Sequence, residues 1–206
     1  NGTVSSIIDA SAIENLALTV VDDTQGITLN MTTGEFNAIS IAMKDATDNG
    51  AVDLGTLHKN TTSVTSGSIG AITASFANQV APNGSAATFS GFGVAVQTVT
   101  GGAYADTFTI GTTGAITHVI DGGAGTDTTN IGVSAAFVNA GSIDTENVNM
   151  TVANGADVTL SGATFHSGVD AVVLTGGNSL STFVSGTLHT NLKSINAAGF
   201  AGNVAL

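Results

Sequence analysis

Gly101-Gly102-Ala103-Tyr104-Ala105-Asp106-Thr107-Phe108-Thr109 and Gly122-Gly123-Ala124-Gly125-Thr126-Asp127-Thr128-Thr129-Asn130 are two copies of one nonapeptide, G-G-x-G-x-D-x-U-x, where U is a large apolar residue. Paired glycines accept φ > 0 without a Cβ clash, so the backbone turns tightly and bares its carbonyls. An Asp that closes such a turn can complete the oxygen shell of a hard cation. The residues after the Asp run into a short strand, with U pointing into a core. The first copy carries Tyr104 at the fourth place and the second carries Thr129 at U. The candidate ligands are Asp106 and Asp127, with the carbonyls of Gly101, Gly102, Ala103, Gly122, Gly123 and Ala124, and with Asp121 as a further carboxylate. The same residues also suit two Asx-type turns that hold no ion.

Working outward, the composition agrees with many short strands and tight turns. The 206 residues include 27 Gly, one Pro and no Cys or Trp, and only 9% are charged, roughly a third of the usual share. Mean hydropathy is nevertheless positive, at +0.36, so a packed core is expected in place of disorder. β-Branched residues punctuated by Gly, Asn and Asp favour β structure. The net charge is −12, with Lys44, Lys59 and Lys193 the only Lys or Arg. A surface for phosphates needs clustered basic side chains, so nucleic acid is not expected as a partner. Anionic membranes are disfavoured on the same ground, and no run reaches the roughly 18 apolar residues of a membrane span. Calcium is the expected neutralising ion.

The chain begins at Asn1 and repeats itself. Glu14-Asn15-Leu16-Ala17-Leu18-Thr19-Val20 is echoed by Glu146-Asn147-Val148-Asn149-Met150-Thr151-Val152, and Ser6-Ile7-Ile8-Asp9-Ala10-Ser11 by Lys193-Ser194-Ile195-Asn196-Ala197-Ala198. These echoes lead us to expect a segment of a tandem array. Residues 1–86 read as a β-rich region with one short helix near 33–45. Thr32 and Glu35 there have capping-box spacing, and Phe36, Ile39 and Met43 fall on one helical face. Pro82-Asn83-Gly84 marks a turn, and from residue 87 to 206 a strand–turn rhythm predicts an irregular β-solenoid or β-roll. Gly176-Gly177-Asn178-Ser179 reads as a further coil turn without a metal. Thr98-Val99-Thr100 and Thr107-Phe108-Thr109 are isolated T-x-T instances, and a regular Thr ladder is not expected.

The two nonapeptides resemble the calcium-binding repeat of the RTX family of secreted bacterial proteins. From about Thr98 onward the texture is similar to RTX-type surface-layer proteins and giant adhesins. The resemblance implies calcium at the Gly-Gly turns, secretion to the bacterial cell surface, and a structural protein that self-assembles into a surface layer, filament or matrix. Its implied partners are copies of itself, with cell-surface polysaccharide as a further class; the alternatives are a ligand-binding module of a large adhesin and the β-roll part of a secreted polysaccharide-modifying enzyme. Catalysis is not expected. No G-x-S-x-G elbow is present, and two of the three Glu lie in the echoed strand phrase. His58, His118, His166 and His189 stand alone, which argues against zinc, and His118 is expected on the surface. Asp22, Asp23, Asp45, Asp48 and Asp53 are a second, weaker acidic group.

Overall fold

The computed structural model describes residues 4–7, 15–20, 27–30, 36–43, 51–58, 60–66, 72–76, 86–90, 97–116, 118–139, 142–160, 168–185 and 190–205. Its strands, in chain order, are β1 (Val4–Ile7), β2 (Asn15–Val20), β3 (Ile27–Asn30), β4 (Ala38–Met43), β5 (Val52–Thr56), β6 (Ser63–Ser66), β7 (Ile72–Ser75), β8 (Thr88–Ser90), β9 (Gln97–Thr100) and β10 (Thr107–Ile116). They continue with β11 (Val119–Asp121), β12 (Thr128–Asn139), β13 (Ser142–Asp144), β14 (Asn147–Val152), β15 (Val158–Leu160), β16 (Ala171–Gly176), β17 (Thr182–Ser185), β18 (Ser194–Phe200) and β19 (Asn203–Ala205). Among the described residues there is no helix, and hence none long and apolar enough to cross a membrane.

Strands alternate between two parallel sheets, which makes the chain a β-solenoid. The odd strands β1 to β13 form a 7-stranded sheet, and the even strands β2 to β18 stack in sequence order to form the second. Near the C-terminal end, β17 pairs with β15 and β19, and β15 pairs through Val158 with Phe137 in the far part of β12, forming a third sheet. Strands inside the stack are bonded to the coil before and the coil after, so the fold is a one-dimensional stack.

Alternation sets which residues face in. Successive side chains of a strand point to opposite faces, and the register aligns the inward ones in columns. One column of the even sheet runs Leu16, Ile39, Val64, Phe89, Phe108, Thr129, Val148, Val172, Ile195. Thr129 is its one polar member and is fully buried. Its hydroxyl lies 3.0 Å from that of Thr145, which also donates to the Asn147 carbonyl at 3.2 Å. The departure from a large apolar U is thus absorbed by a hydroxyl pair inside the core.

The helix expected near 33–45 is corrected. Ala38–Met43 is β4, paired with β2 and β6. Ile39 and Ile41 are buried while Ser40 and Ala42 are exposed, which is strand period. Stacking on both neighbours buries that apolar face in a way a lone helical turn could not, so tertiary pairing overrides the capping signal. Residues 33–35 and 44–45 lie outside the described residues, as do Pro82-Asn83-Gly84. The even sheet runs on across residues 86–87, since β8 lies between β6 and β10. What changes there is coil length. Partners are 25 residues apart between β6 and β8, then 19, 21 and 19 through β14, and 24 between β14 and β16.

A candidate cation site at the stacked Gly-Gly turns

The 21-residue spacing of the two nonapeptides is one coil. Val99 and Thr100 of β9 pair with Ile120 and Asp121 of β11, and Thr107 pairs with Thr128, so the turns between them lie directly one on the other. The Ala124 N–H donates to the Gly102 carbonyl across the stack at 2.8 Å, which engages one of the carbonyls expected as ligands. The glycines are needed for this approach. A Cβ on Gly101 would collide with the Gly122 carbonyl oxygen, and Gly123 has φ +85°, where L side chains are strained.

The aspartates face inward and are 1% exposed. Asp106 Oδ1 accepts the Ala87 N–H at 2.6 Å, from the preceding coil, and Oδ2 accepts the Gly102 N–H at 2.6 Å, from its own turn. Asp127 Oδ1 accepts the Asp106 N–H at 2.7 Å, and Glu146 Oε2 accepts the Asp127 N–H at 2.7 Å. A carboxylate from each coil thus grips the amide of the coil before it. Asp170 occupies the same place before β16 and pairs with Lys193 of the next coil at 2.6 Å. Glu146 was not among the sequence candidates. The signal for it was its position: Asp106, Asp127, Glu146 and Asp170 each stand immediately before an even strand.

One oxygen is left over. Asp127 Oδ2 is buried and has no hydrogen-bond partner. The amide equivalent to that of Gly102, on Gly123, donates at 3.0 Å to Asp121 Oδ1. Burial therefore pushes the Asp127 carboxyl up to about 6, against the Asp106 N–H, which lowers it; the charges of Glu146, Asp106 and Asp121 raise it further. Asp106 is also raised by burial, opposed by its two amide bonds. A buried carboxylate oxygen without a donor, near other carboxylates, fits a hard cation. Asp127 is the residue left open to that role, with the exposed Asp121 near enough for its charge to act on it; Asp106 has a donor on each oxygen. No group of three or more His, Asp or Glu is gathered in metal-binding proximity among the described residues.

The other candidates have local roles. Asp53 Oδ1 accepts the Gly55 N–H at 2.9 Å, while Asp22, Asp23, Asp45 and Asp48 lie outside the described residues. His118, expected on the surface, is buried. Val119 opens β11 facing outward, so alternation turns His118 and Ile120 inward. Burial lowers the imidazole to about 4. His166 and His189 lie outside the described residues. At Gly176-Gly177-Asn178-Ser179 the turn is held by side chains: Asn178 Oδ1 accepts the Gly155 and Leu180 N–H groups, and Ser181 Oγ accepts that of Asn178. No family model, curated protein or solved structure matches this chain.

Proposed function

We propose that this chain is an extracellular structural solenoid that stacks with copies of itself, end on end, into a layer, filament or matrix at a bacterial surface. The observation that carries the reading is the unbroken stack, in which the even strands pair coil on coil in sequence order from β2 to β18. In β19, Val204 holds the inward place occupied in earlier coils by Val158 and Phe183, both fully buried, yet it is 45% exposed. Ile195 and Ala197 of β18 are likewise only half buried. A further coil, of this protein or of a copy, would cover these side chains and pair the strand edges in the same register.

Calcium belongs to the same proposal. Asp127 and Asp121 would hold it, and its charge would offset the repulsion around the buried, unpartnered Asp127 oxygen. It would also reduce repulsion between copies that each carry −12. Electron microscopy and light scattering across a calcium series test both parts. Ordered sheets or fibres that loosen on chelation are expected. A strict monomer at high protein concentration with calcium would overturn self-assembly and favour a ligand-binding module of a larger adhesin.

A further inference from the structure

The outward face of the even sheet is uncharged through its middle. Ser63, Thr88, Thr107, Thr128 and Asn147 align in one file, and Thr65, Ser90, Thr109, Asn130 and Asn149 in a second. The sequence did not promise such files, because coil length varies; the loops absorb the variation and the register is kept. Neighbours along a file are about 4.8 Å apart, and the two files about 6.7 Å. Hydrogen bonds run along them, from Ser90 Oγ to Thr65 Oγ1 at 3.4 Å and from Asn149 Nδ2 to Asn130 Oδ1 at 3.0 Å. This neutral surface lies on a chain of net charge −12.

The face is not flat. A groove of about 360 Å³ opens on it, with Thr109, Asn130 and Thr151 among the lining residues and Gly132 between them. Its origin is local. Ile131 and Val133 are buried, so Gly132 takes an outward place with no side chain to fill it. Beside it β10 slips out of register with β12 between Ile110 and Thr113.

We propose that this groove binds a neutral, hydroxyl-rich glycan, seating one or two sugar units. No titratable side chain is among the described residues that line it, so these offer no charge to a phosphate, a carboxylate or a cation. An extended peptide cannot join the sheet here, because β12 is already paired on both sides, with β10 and β14. Side-chain hydroxyls and an amide remain, each both donor and acceptor, beside apolar surface from the exposed Ala153 and the threonine methyl groups. That mixture suits a sugar ring, whose hydroxyls hydrogen-bond while its C–H face packs. The volume lies at the lower end of small-ligand pockets. The two files extend the same chemistry at fixed spacing, so a linear polymer would find further contacts beyond the groove.

Calorimetric titration of the full chain with cello-, malto- and chito-hexaoses, and with an oligouronate, tests this. At least one neutral hexasaccharide should bind saturably, with little dependence on salt. Asn130→Ala should weaken that binding up to about tenfold, the worth of one hydrogen bond, and Gly132→Val, which fills the groove, should abolish it. Thr73→Ala, on the outward face of the odd sheet, should leave it unchanged. If Gly132→Val does not fold, Asn130→Ala decides. No binding of any neutral probe at millimolar concentration, binding of the uronate alone, or affinity indifferent to Asn130→Ala would overturn the proposal. Self-assembly is read separately, by scattering, and neither result depends on the other.

Discussion

At the residue scale, Asp106 and Asp127 share a motif place but differ in what their second oxygen meets. In Asp106→Asn, one oxygen that accepts a backbone N–H becomes an NH2, leaving a buried donor facing a donor. The cost should be about 1–3 kcal/mol in calcium or in chelator. In Asp127→Asn, Oδ1 can still accept the Asp106 N–H while the unpartnered, charged oxygen is lost. That variant should be near neutral or more stable than the parent in chelator at pH 8. It should lose the calcium-dependent gain, which is about 2.7 kcal/mol for one site at a hundredfold excess over Kd. Denaturant melts with and without calcium read both; equal calcium gains in the parent and Asp127→Asn would sink the site. The Thr129–Thr145 pair makes a second contrast. Thr145→Val strands the Thr129 hydroxyl in the core and should cost about 1–3 kcal/mol. Thr129→Val should cost less, because Thr145 keeps the Asn147 carbonyl, and the double variant should recover part of the loss in a mutant cycle. A third concerns pH. His118 binds its proton near 4 when folded and near 6.5 when unfolded, so the unfolded chain holds more protons between these values. Its contribution is complete above about pH 6.5 and declines as pH falls towards 4. Relative to His118→Gln, the parent should lose on the order of 2 kcal/mol between pH 7.5 and pH 5. The comparison with the variant is needed because Asp127, raised to about 6, acts oppositely and gains stability as pH falls. A constant difference across that range would refute the buried, neutral imidazole.

At the scale of elements, the stacked turns should be the least tolerant part of the chain. Gly101→Ala drives a methyl into the Gly122 carbonyl of the next coil, and backbone must move. Gly155→Ala falls at positive φ, +77°, but meets nothing within 4 Å. It should therefore cost only about 1 kcal/mol of backbone strain, and Gly101→Ala clearly more. Equal melting temperatures for the two variants would mean that the turns are not in contact. The Gly-Gly turns and the strands after them were legible in sequence because glycine pairs and alternation are local signals. The echoed phrase showed a repeated alternating strand, though the solenoid itself was expected only from residue 87 onward. β2 and β14 do hold equivalent places in the even sheet, each directly after a Glu. β4 was misread because Phe36, Ile39 and Met43 satisfy a helical period while Ile39 and Ile41 satisfy a strand period. Only the neighbours β2 and β6 decide between them, and pairing across 23 and 25 residues is invisible to local pattern. The carboxylate column was hidden for the same reason. Asp106, Asp127 and Glu146 stand in line only once coil lengths of 21 and 19 residues are known.

At the scale of the whole molecule, most contacts join one coil to the next, and the inward columns run the length of the stack. Ends differ from the middle: Phe89, Phe108, Val148 and Val172 are sealed on both sides, whereas Ile195 and Val204 are not. The hydrogen bonds between coils lie along the stack axis, because the strands lie across it. This has a mechanical consequence. Tension applied to the two ends loads the ladders in series, so the weakest coil opens before the rest feel more force. Each release should lengthen the chain by one coil of 19 to 25 residues, or about 60–80 Å of extended backbone. Pulled singly in a force spectrometer, the molecule should give a run of low, unequal steps of that size, and calcium should raise the step that frees the Gly122 turn. One rupture of the entire chain would show that the coils yield together. A layer built from such units would stretch under load by shedding coils and keep its lateral order while doing so.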